Sequence, residues 1–383
     1  MAIAIFPKSP VRTAIAVASG LANDPIAVEE GLAQLQKLSL LRMHNNRYEI
    51  LPLTREYALS ELATHPQFEQ EARSRWVTWY LDFTKEYAGK DWKEWYIRYD
   101  RIEDEWENLL AVFDWCAAHE EYPIVQAFWQ ESYLVKFAHI YGYWDDRLIW
   151  LDWLIQAGKK RGDWSNAIRA MVDKASTLTI LGQLDEAEEL LKQAWHKYKH
   201  ATPWVQLILI AKTANLCISQ EHYLEAIPWL DQAGDLLNKV QFEEPEHTRR
   251  WIDLQTYRGL AYYKKGDYVQ AKRCYQEVLQ LSQAITWQRM IILARLYLAY
   301  IAIAQKQFNE AEILLETGLP VVDNNTDKRL SALYRQAFAQ IYSSKGKVSE
   351  AQIWAKQALD GFEYLGMKAE AEETREMLHA LQE

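Results

Sequence analysis

A helical alternation of apolar and polar positions runs along most of the 383-residue chain, and between residues 165 and 362 it repeats itself. The segments LGQLDEAEELLKQA, QEHYLEAIPWLDQA, KGDYVQAKRCYQEV, QKQFNEAEILLETG and KGKVSEAQIWAKQA align on Ala187, Ala226, Ala271, Ala311 and Ala351, in steps of 39, 45, 40 and 40 residues. A second small residue stands twelve positions before each: Ala175, Ala214, Gly259, Ala299 and Ala339. An earlier copy, YGYWDDRLIWLDWL, puts Arg147 forty positions before Ala187. The pattern predicts two antiparallel helices per copy, crossing where the small residues meet. Gly182, Gly266 and Gly346 fall at the turn, where a left-handed residue ends the first helix. One such pair cannot bury its apolar face alone, so neighbours stack into a superhelix with an inner groove. The step of 45 residues is accounted for by a polar insert, a loop at Glu243–Thr248.

The first 66 residues read differently. Helices are predicted over 11–22 and 25–38, the second opened by Asp24-Pro25 as cap and first-turn proline. The stretch LSLLRMHNNRYEIL alternates around Asn45-Asn46 and predicts a β-hairpin. A further helix follows from Thr54. Helix, helix, hairpin, helix is the order of a winged helix. The expected organisation is therefore all-α apart from that hairpin. A winged-helix-like domain spans 1–66, a Trp-rich helical linker with the degenerate copy spans 67–163, and five repeats with a C-terminal capping helix span 164–383.

The repeat phase resembles tetratricopeptide repeats, with a period about six residues longer than theirs, as in the repeats of bacterial signalling ATPases. The segments IFPKSPVRTAI, LAQLQKLSLL and RYEILPLTREYA are similar to the winged-helix segment of STAND ATPases of the NB-ARC group. Glu107, Asn108, Leu109, Ala111 and Trp115 match that family's next helical motif. The resemblance implies a sensor made of repeats, coupled to an ATPase. The ATPase itself is missing. None of Gly89-Lys90, Gly158-Lys159 and Gly346-Lys347 is followed by Ser or Thr, so there is no phosphate-cradling loop, and Leu51 stands where the family often carries a nucleotide-sensing His. The chain thus reads as the C-terminal part of such a protein, or a degenerate relative, with an NB-ARC-type ATPase domain as one partner.

Charge and composition narrow the classes. The net charge is −10, with 43 Lys+Arg against 53 Asp+Glu, and residues 67–160 alone carry 11 basic and 18 acidic groups. Nucleic acid and anionic membrane surfaces are not the expected partners. On the second predicted helix Glu29 and Glu30 stand against a single Lys37, a poor recognition helix. No apolar run is long enough to span a membrane, and Lys8, Pro7, Pro10 and Arg12 break the N-terminal stretch that a signal peptide would need. Cys116, Cys217 and Cys274 are widely spaced thiols, which fits a reducing, cytoplasmic setting.

No catalytic constellation is expected. His196 and His200 stand four apart without the Glu of a zinc motif, so no metal or cofactor is assigned. The run Glu103, Asp104, Glu105, Glu107 reads as a solvated acidic face. The Trp cluster Trp76, Trp79, Trp92, Trp95, Trp106 and Trp115 reads as core. Binding is expected instead on the first helix of each pair. Counting from the key alanines places Ser176, Thr179, Asn215, Ser219, Tyr263, Lys264, Tyr297, Tyr300, Gln336 and Gln340 toward the groove, a set rich in Tyr and amides that suits a peptide or protein segment. A clamp for a terminal carboxylate needs several cations there, and this set supplies only Lys264. The expectation is a non-catalytic protein- or peptide-binding sensor; the alternative is a winged-helix transcriptional regulator with a repeat sensor.

Overall fold

The computed structural model describes residues 1–88, 95–130, 134–240, 242–323 and 327–382. They form two compact units, Met1–Phe137 and Ala138–Glu383.

Unit 1 opens with a buried 3-10 turn at Ala2–Ile5, then α1 (Arg12–Ser19) and α2 (Pro25–Lys37). Asp24 caps α2 by accepting from the Ala27 N–H at 3.0 Å. The hairpin pairs β1 (Leu41–His44) antiparallel with β2 (Arg47–Ile50), and Asn45 and Asn46 take the two left-handed positions of its turn, φ 49 and 60°. Then come α3 (Pro52–Ala63), α4 (Pro66–Tyr87), α5 (Trp95–Asp104), α6 (Trp106–Ala118) and α7 (Tyr122–Gln130). α8 (Leu134–Tyr141) carries the boundary between the units.

Trp76 and Trp106 are buried, and Trp79 stacks on Phe83 at 5.2 Å, so these rings fill the core of unit 1. Trp92 and the Trp95 side chain lie outside the described residues. One expectation fails: Glu105 is not solvated but 1% exposed. Its carboxylate accepts from Tyr80 Oη at 2.6 Å and Asn108 Nδ2 at 2.7 Å and pairs with Arg47 at 2.7 Å. Asn108 in turn accepts the Lys8 N–H at 3.1 Å. The N-terminal segment, β2, α4 and α6 thus converge on one buried charge, which is stable only while fully bonded. An acidic run gives no sign of which member turns inward.

Unit 2 is the repeat array. A leading helix α9 (Trp144–Arg161) is followed by the pairs α10 (Trp164–Ile180) with α11 (Leu184–His196), α12 (Pro203–Ser219) with α13 (Tyr223–Lys239), α14 (Glu246–Lys265) with α15 (Tyr268–Ala284), α16 (Gln288–Ala304) with α17 (Phe308–Asp323), and α18 (Lys328–Ser344) with α19 (Val348–Tyr364). α20 (Lys368–Ala380) ends the array against α19. Ala187, Ala226, Ala271, Ala311 and Ala351 are all fully buried, so the five copies place equivalent residues at equivalent crossings. Gly259 replaces the usual alanine because Tyr275 replaces the usual smaller aliphatic opposite it; a Cβ on Gly259 would lie 2.8 Å from the Tyr275 ring. The turns at Gly182, Gly266 and Gly346 are left-handed, as expected, and Glu221 and Lys306 adopt the same conformation at φ 65 and 60°. The insert is only half a loop, because α14 already begins at Glu246.

In the degenerate copy, Arg147 occupies the alanine position and is 3% exposed. It bonds the Asp173 carbonyl at 3.0 Å and the Thr177 hydroxyl, which turns a close helix crossing into a polar one.

The array also meets itself. The turn at Gly142, before α9, abuts Leu365, after α19: a Cβ on Gly142 would fall 2.5 Å from Leu365 Cδ2. Lys328 donates to Tyr364 Oη at 3.0 Å and lies 5.8 Å from the Tyr143 ring centre. The repeats of unit 2 therefore wind far enough for their two ends to touch, and the inner face is enclosed.

Candidate functional site

The first helices of successive pairs pack side by side, α10 on α12, α12 on α14 and α16 on α18, and their remaining face forms the inner surface. Tyr263 on α14 and Tyr297 and Tyr300 on α16 come together there, with ring centres 6.3, 6.2 and 5.9 Å apart. Tyr275 stacks flat on Tyr297 at 4.7 Å. The Tyr300 hydroxyl donates to the Leu333 carbonyl at 3.1 Å. Burial raises the hydroxyl pKa of all three, Tyr263 to about 12, so they present neutral phenols. Gln336 is buried and donates to Thr374 Oγ1 at 3.2 Å and Glu373 Oε2 at 3.4 Å, tying α18 to α20. Gln340, Asn215 and Thr179 are half-buried, Ser176 is buried, and Ser219 and Lys264 are exposed at helix ends. Of the residues expected in the groove, then, the three tyrosines form one cluster, while Gln336 is already engaged and Lys264 stands apart from it.

Reading the sequence for groove residues passes over the cations of this face. Two positions before the small residue of each first helix stand Asp173, Lys212, Tyr257, Tyr297 and Ala337, and ten before it stand Arg249, Arg289 and Arg329 in three consecutive copies. Lys212 donates to Tyr257 Oη at 2.6 Å. Arg249 lies over the Trp287 ring at 4.8 Å and pairs with Glu246 at 2.9 Å. Arg289 pairs with Asp327 at 2.8 Å, and Asp327 also caps α18. Trp287 and Asp327 each stand two residues before the next arginine of the ladder; beyond Arg329 that place is held by the buried, apolar Met367. Arg329 has a buried Nε with no hydrogen-bond partner among the described residues, as has Arg258. The forty-residue spacing is the signal that finds the ladder; an arginine in a first helical turn otherwise reads as a solvated end.

Elsewhere, a cavity of about 700 Å3 between α11, α12 and α13 is lined by Trp195, Trp229, His196, His222 and Cys217. No group of three His, Cys, Asp or Glu able to hold a metal occurs among the described residues. Burial raises the Cys116 thiol to about 12 and Cys274 to about 11, so both stay protonated and unreactive. No helix among the described residues is long and apolar enough to cross a membrane.

Residues 168–201 and 252–284 match tetratricopeptide-repeat models. The chain is an all-α superhelical repeat protein, and two of its copies match the tetratricopeptide repeat. It is 22% identical, over 97% of its length, to the transcription activator GutR of Bacillus subtilis (strain 168), of which the match covers 45%. Its fold is similar to that of a STAND protein (signal transduction ATPase with numerous domains) with a tetratricopeptide repeat sensor from Pyrococcus horikoshii, with a TM-score of 0.55 and 14% identity over 98% of this chain and 52% of that one. The chain spans about half the length of these two relatives.

Proposed function

We propose that the repeat array is a non-catalytic sensor scaffold that takes a peptide or protein segment on its enclosed inner face, coupled to a STAND-type ATPase domain through the N-terminal winged-helix-like region, 1–66. The observation that carries this reading is the tyrosine cluster Tyr263–Tyr297–Tyr300, set on three turns of adjacent first helices and enclosed by the meeting of Gly142 with Leu365. Rigid phenols supply contact area at low entropic cost, and half-buried Asn215 and Gln340 offer amides to a backbone. The phenols of this face are neutral, and the Cys116 and Cys274 thiols are buried and protonated, which fits binding. The test is capture of partners from a lysate of the source cell by the full chain and by a Tyr263→Ala/Tyr300→Ala variant. Partners lost with the variant support the reading; identical partners, or none, contradict it.

A second reading is favoured by the match to a transcription activator along nearly the whole chain. In it the winged-helix-like region contacts DNA. The exposed acids Glu29 and Glu30 on α2, and the Arg12–Glu29 pair at 3.1 Å, weigh against a phosphate-facing helix. Gel shift at about 50 mM salt, where charge-driven binding is strongest, decides it: no retardation removes the DNA reading.

A further inference from the structure

The helix pairs of unit 2 do not fill their packing alike. In the last pair, α18 with α19, Trp354 stands three positions after Ala351 and stacks on Phe338 at 4.8 Å, the rings 22° apart. Phe338 in turn stacks on Tyr342, one turn along α18, at 6.2 Å. The second pair, α12 with α13, has a tryptophan at the same repeat position, Trp229, three after Ala226. On its first helix Thr213 stands where the last pair has Phe338, and Cys217 where it has Tyr342. Two aromatic rings of one pair are thus a small alcohol and a thiol in the other. The cavity of about 700 Å3 lies at this place, lined by Thr213, Cys217 and Trp229, and by Trp195 of α11, whose ring meets Trp229 at 5.1 Å. Small-molecule pockets span about 300–1,000 Å3, so the room left by the missing rings suits such a ligand.

The lining selects what enters. Trp195 and Trp229 are half-buried, and indole faces hold flat rings by stacking and cations through the ring quadrupole. Trp195 Nε1 is used within the wall, donating to Thr213 Oγ1 at 2.9 Å. Glu188 is engaged as well: it pairs with Lys192 at 2.6 Å and accepts from Gln220 Nε2 at 2.9 Å, and the rim imidazole of His222 acts on it. Glu225 is different. It is exposed at the edge of the cavity, and its carboxylate has no ion pair or hydrogen bond among the described residues. A flat ring carrying an ammonium group answers both features, the ring against indole and the charge at the carboxylate.

We propose that this cavity binds a small aromatic ammonium compound. Its ring takes the place that Phe338 and Tyr342 fill in the last pair, against Trp229, and its ammonium pairs with Glu225. The site is separate from the tyrosine cluster. Thr213, Leu216, Cys217 and Gln220 stand one before and two, three and six after the small residue of their helix, whereas Tyr263, Tyr297 and Tyr300 stand four after, two before and one after theirs. No repeat position is shared, so this site and the peptide reading stand or fall independently.

The full chain is titrated calorimetrically with tryptamine, indole-3-acetate and 2-cyclohexylethylamine at matched ionic strength. Tryptamine should bind saturably at one site. Indole-3-acetate has the same ring and the opposite charge, and cyclohexylethylamine has the same charge and no flat ring. Each should bind about tenfold more weakly or not at all. The Thr213→Phe/Cys217→Tyr variant copies the last pair; it should lose tryptamine binding while its melting temperature holds or rises. Should that variant melt lower, Trp229→Leu takes its place and should likewise lose binding. Glu225→Gln, at an exposed position, should weaken tryptamine about fivefold with the melting temperature unchanged. Tyr263→Ala/Tyr300→Ala should bind tryptamine as the parent does. Location is read by alkylation: tryptamine should slow the reaction of iodoacetamide with half-buried Cys217. The proposal is overturned by no saturable tryptamine binding, by either comparison compound binding equally well, by parent-like binding in the filled variant or Trp229→Leu, or by an unchanged Cys217 rate.

Discussion

The two units pack their helices by opposite means. In unit 1 four segments meet on one buried carboxylate, Glu105, bonded by Tyr80, Asn108 and Arg47. In unit 2 the same five-fold pattern of small residues closes every pair, and no crossing depends on a distant one. A unique network concentrates stability in a single residue; a repeated one spreads it, so damage stays within a copy and its neighbours. The leading copy of unit 2 shows the exchange inside one fold: Arg147 sits where alanine belongs and needs Asp173 and Thr177 to be tolerated.

The largest effect should come from Glu105→Ala, which strands the Arg47 guanidinium beside Tyr80 and Asn108. A loss of about 3–5 kcal/mol is expected for breaking a buried pair on one side, read by urea unfolding with a probe in unit 1. A loss under about 1 kcal/mol would remove the contrast drawn between the units. Next is Gly259→Ala, whose Cβ would meet the Tyr275 ring at 2.8 Å. Overpacking costs about 1–3 kcal/mol, and Tyr275→Leu should restore most of it by recreating the pairing of the other copies; a double-mutant cycle with no coupling contradicts the account.

A pH dependence should follow from His139. Burial first, then Arg147, Arg289, Lys212 and Arg329, hold its imidazole well below the ordinary 6.5. The folded state keeps it neutral while the unfolded chain binds a proton. His139 therefore contributes stability above about pH 6.5, and that contribution is lost as the pH falls below it toward the depressed folded value. His139→Gln should flatten the fall in thermal stability between about pH 6.5 and 5; an unchanged slope would place the acid sensitivity elsewhere. The smallest effect is Lys306→Gly, which removes a left-handed non-glycine residue at φ 60° and should stabilise by up to about 1 kcal/mol, as Gly266 does in the preceding copy.

Much of the architecture is legible in the order of the residues alone. The spacing of Ala187, Ala226, Ala271, Ala311 and Ala351 locates the helix pairs because a close crossing tolerates few side chains, and the same phase places Tyr263, Tyr297 and Tyr300 on one face. Asn45-Asn46 marks the hairpin because few residues adopt its turn. Choices among chemically equal neighbours stay hidden. Glu105 differs from Glu103 and Glu107 only in where the chain turns it. Arg249, Arg289 and Arg329 share one repeat phase, but what each meets depends on what the next copy supplies: Trp287, Asp327 or Met367. The meeting of Gly142 with Leu365 sums small rotations over all the repeats, and no local pattern encodes that sum.

The enclosed inner face is the claim on which the sensor reading rests. It is tested most directly by pulsed electron–electron spin resonance between spin labels at Tyr143→Cys and Tyr364→Cys, in the full chain with Cys116, Cys217 and Cys274 replaced by alanine. The account predicts one short, narrow distance, broadened or lengthened by Gly142→Ala. A broad distribution of long distances in the parent chain, unmoved by that substitution, would show an open array and contradict it.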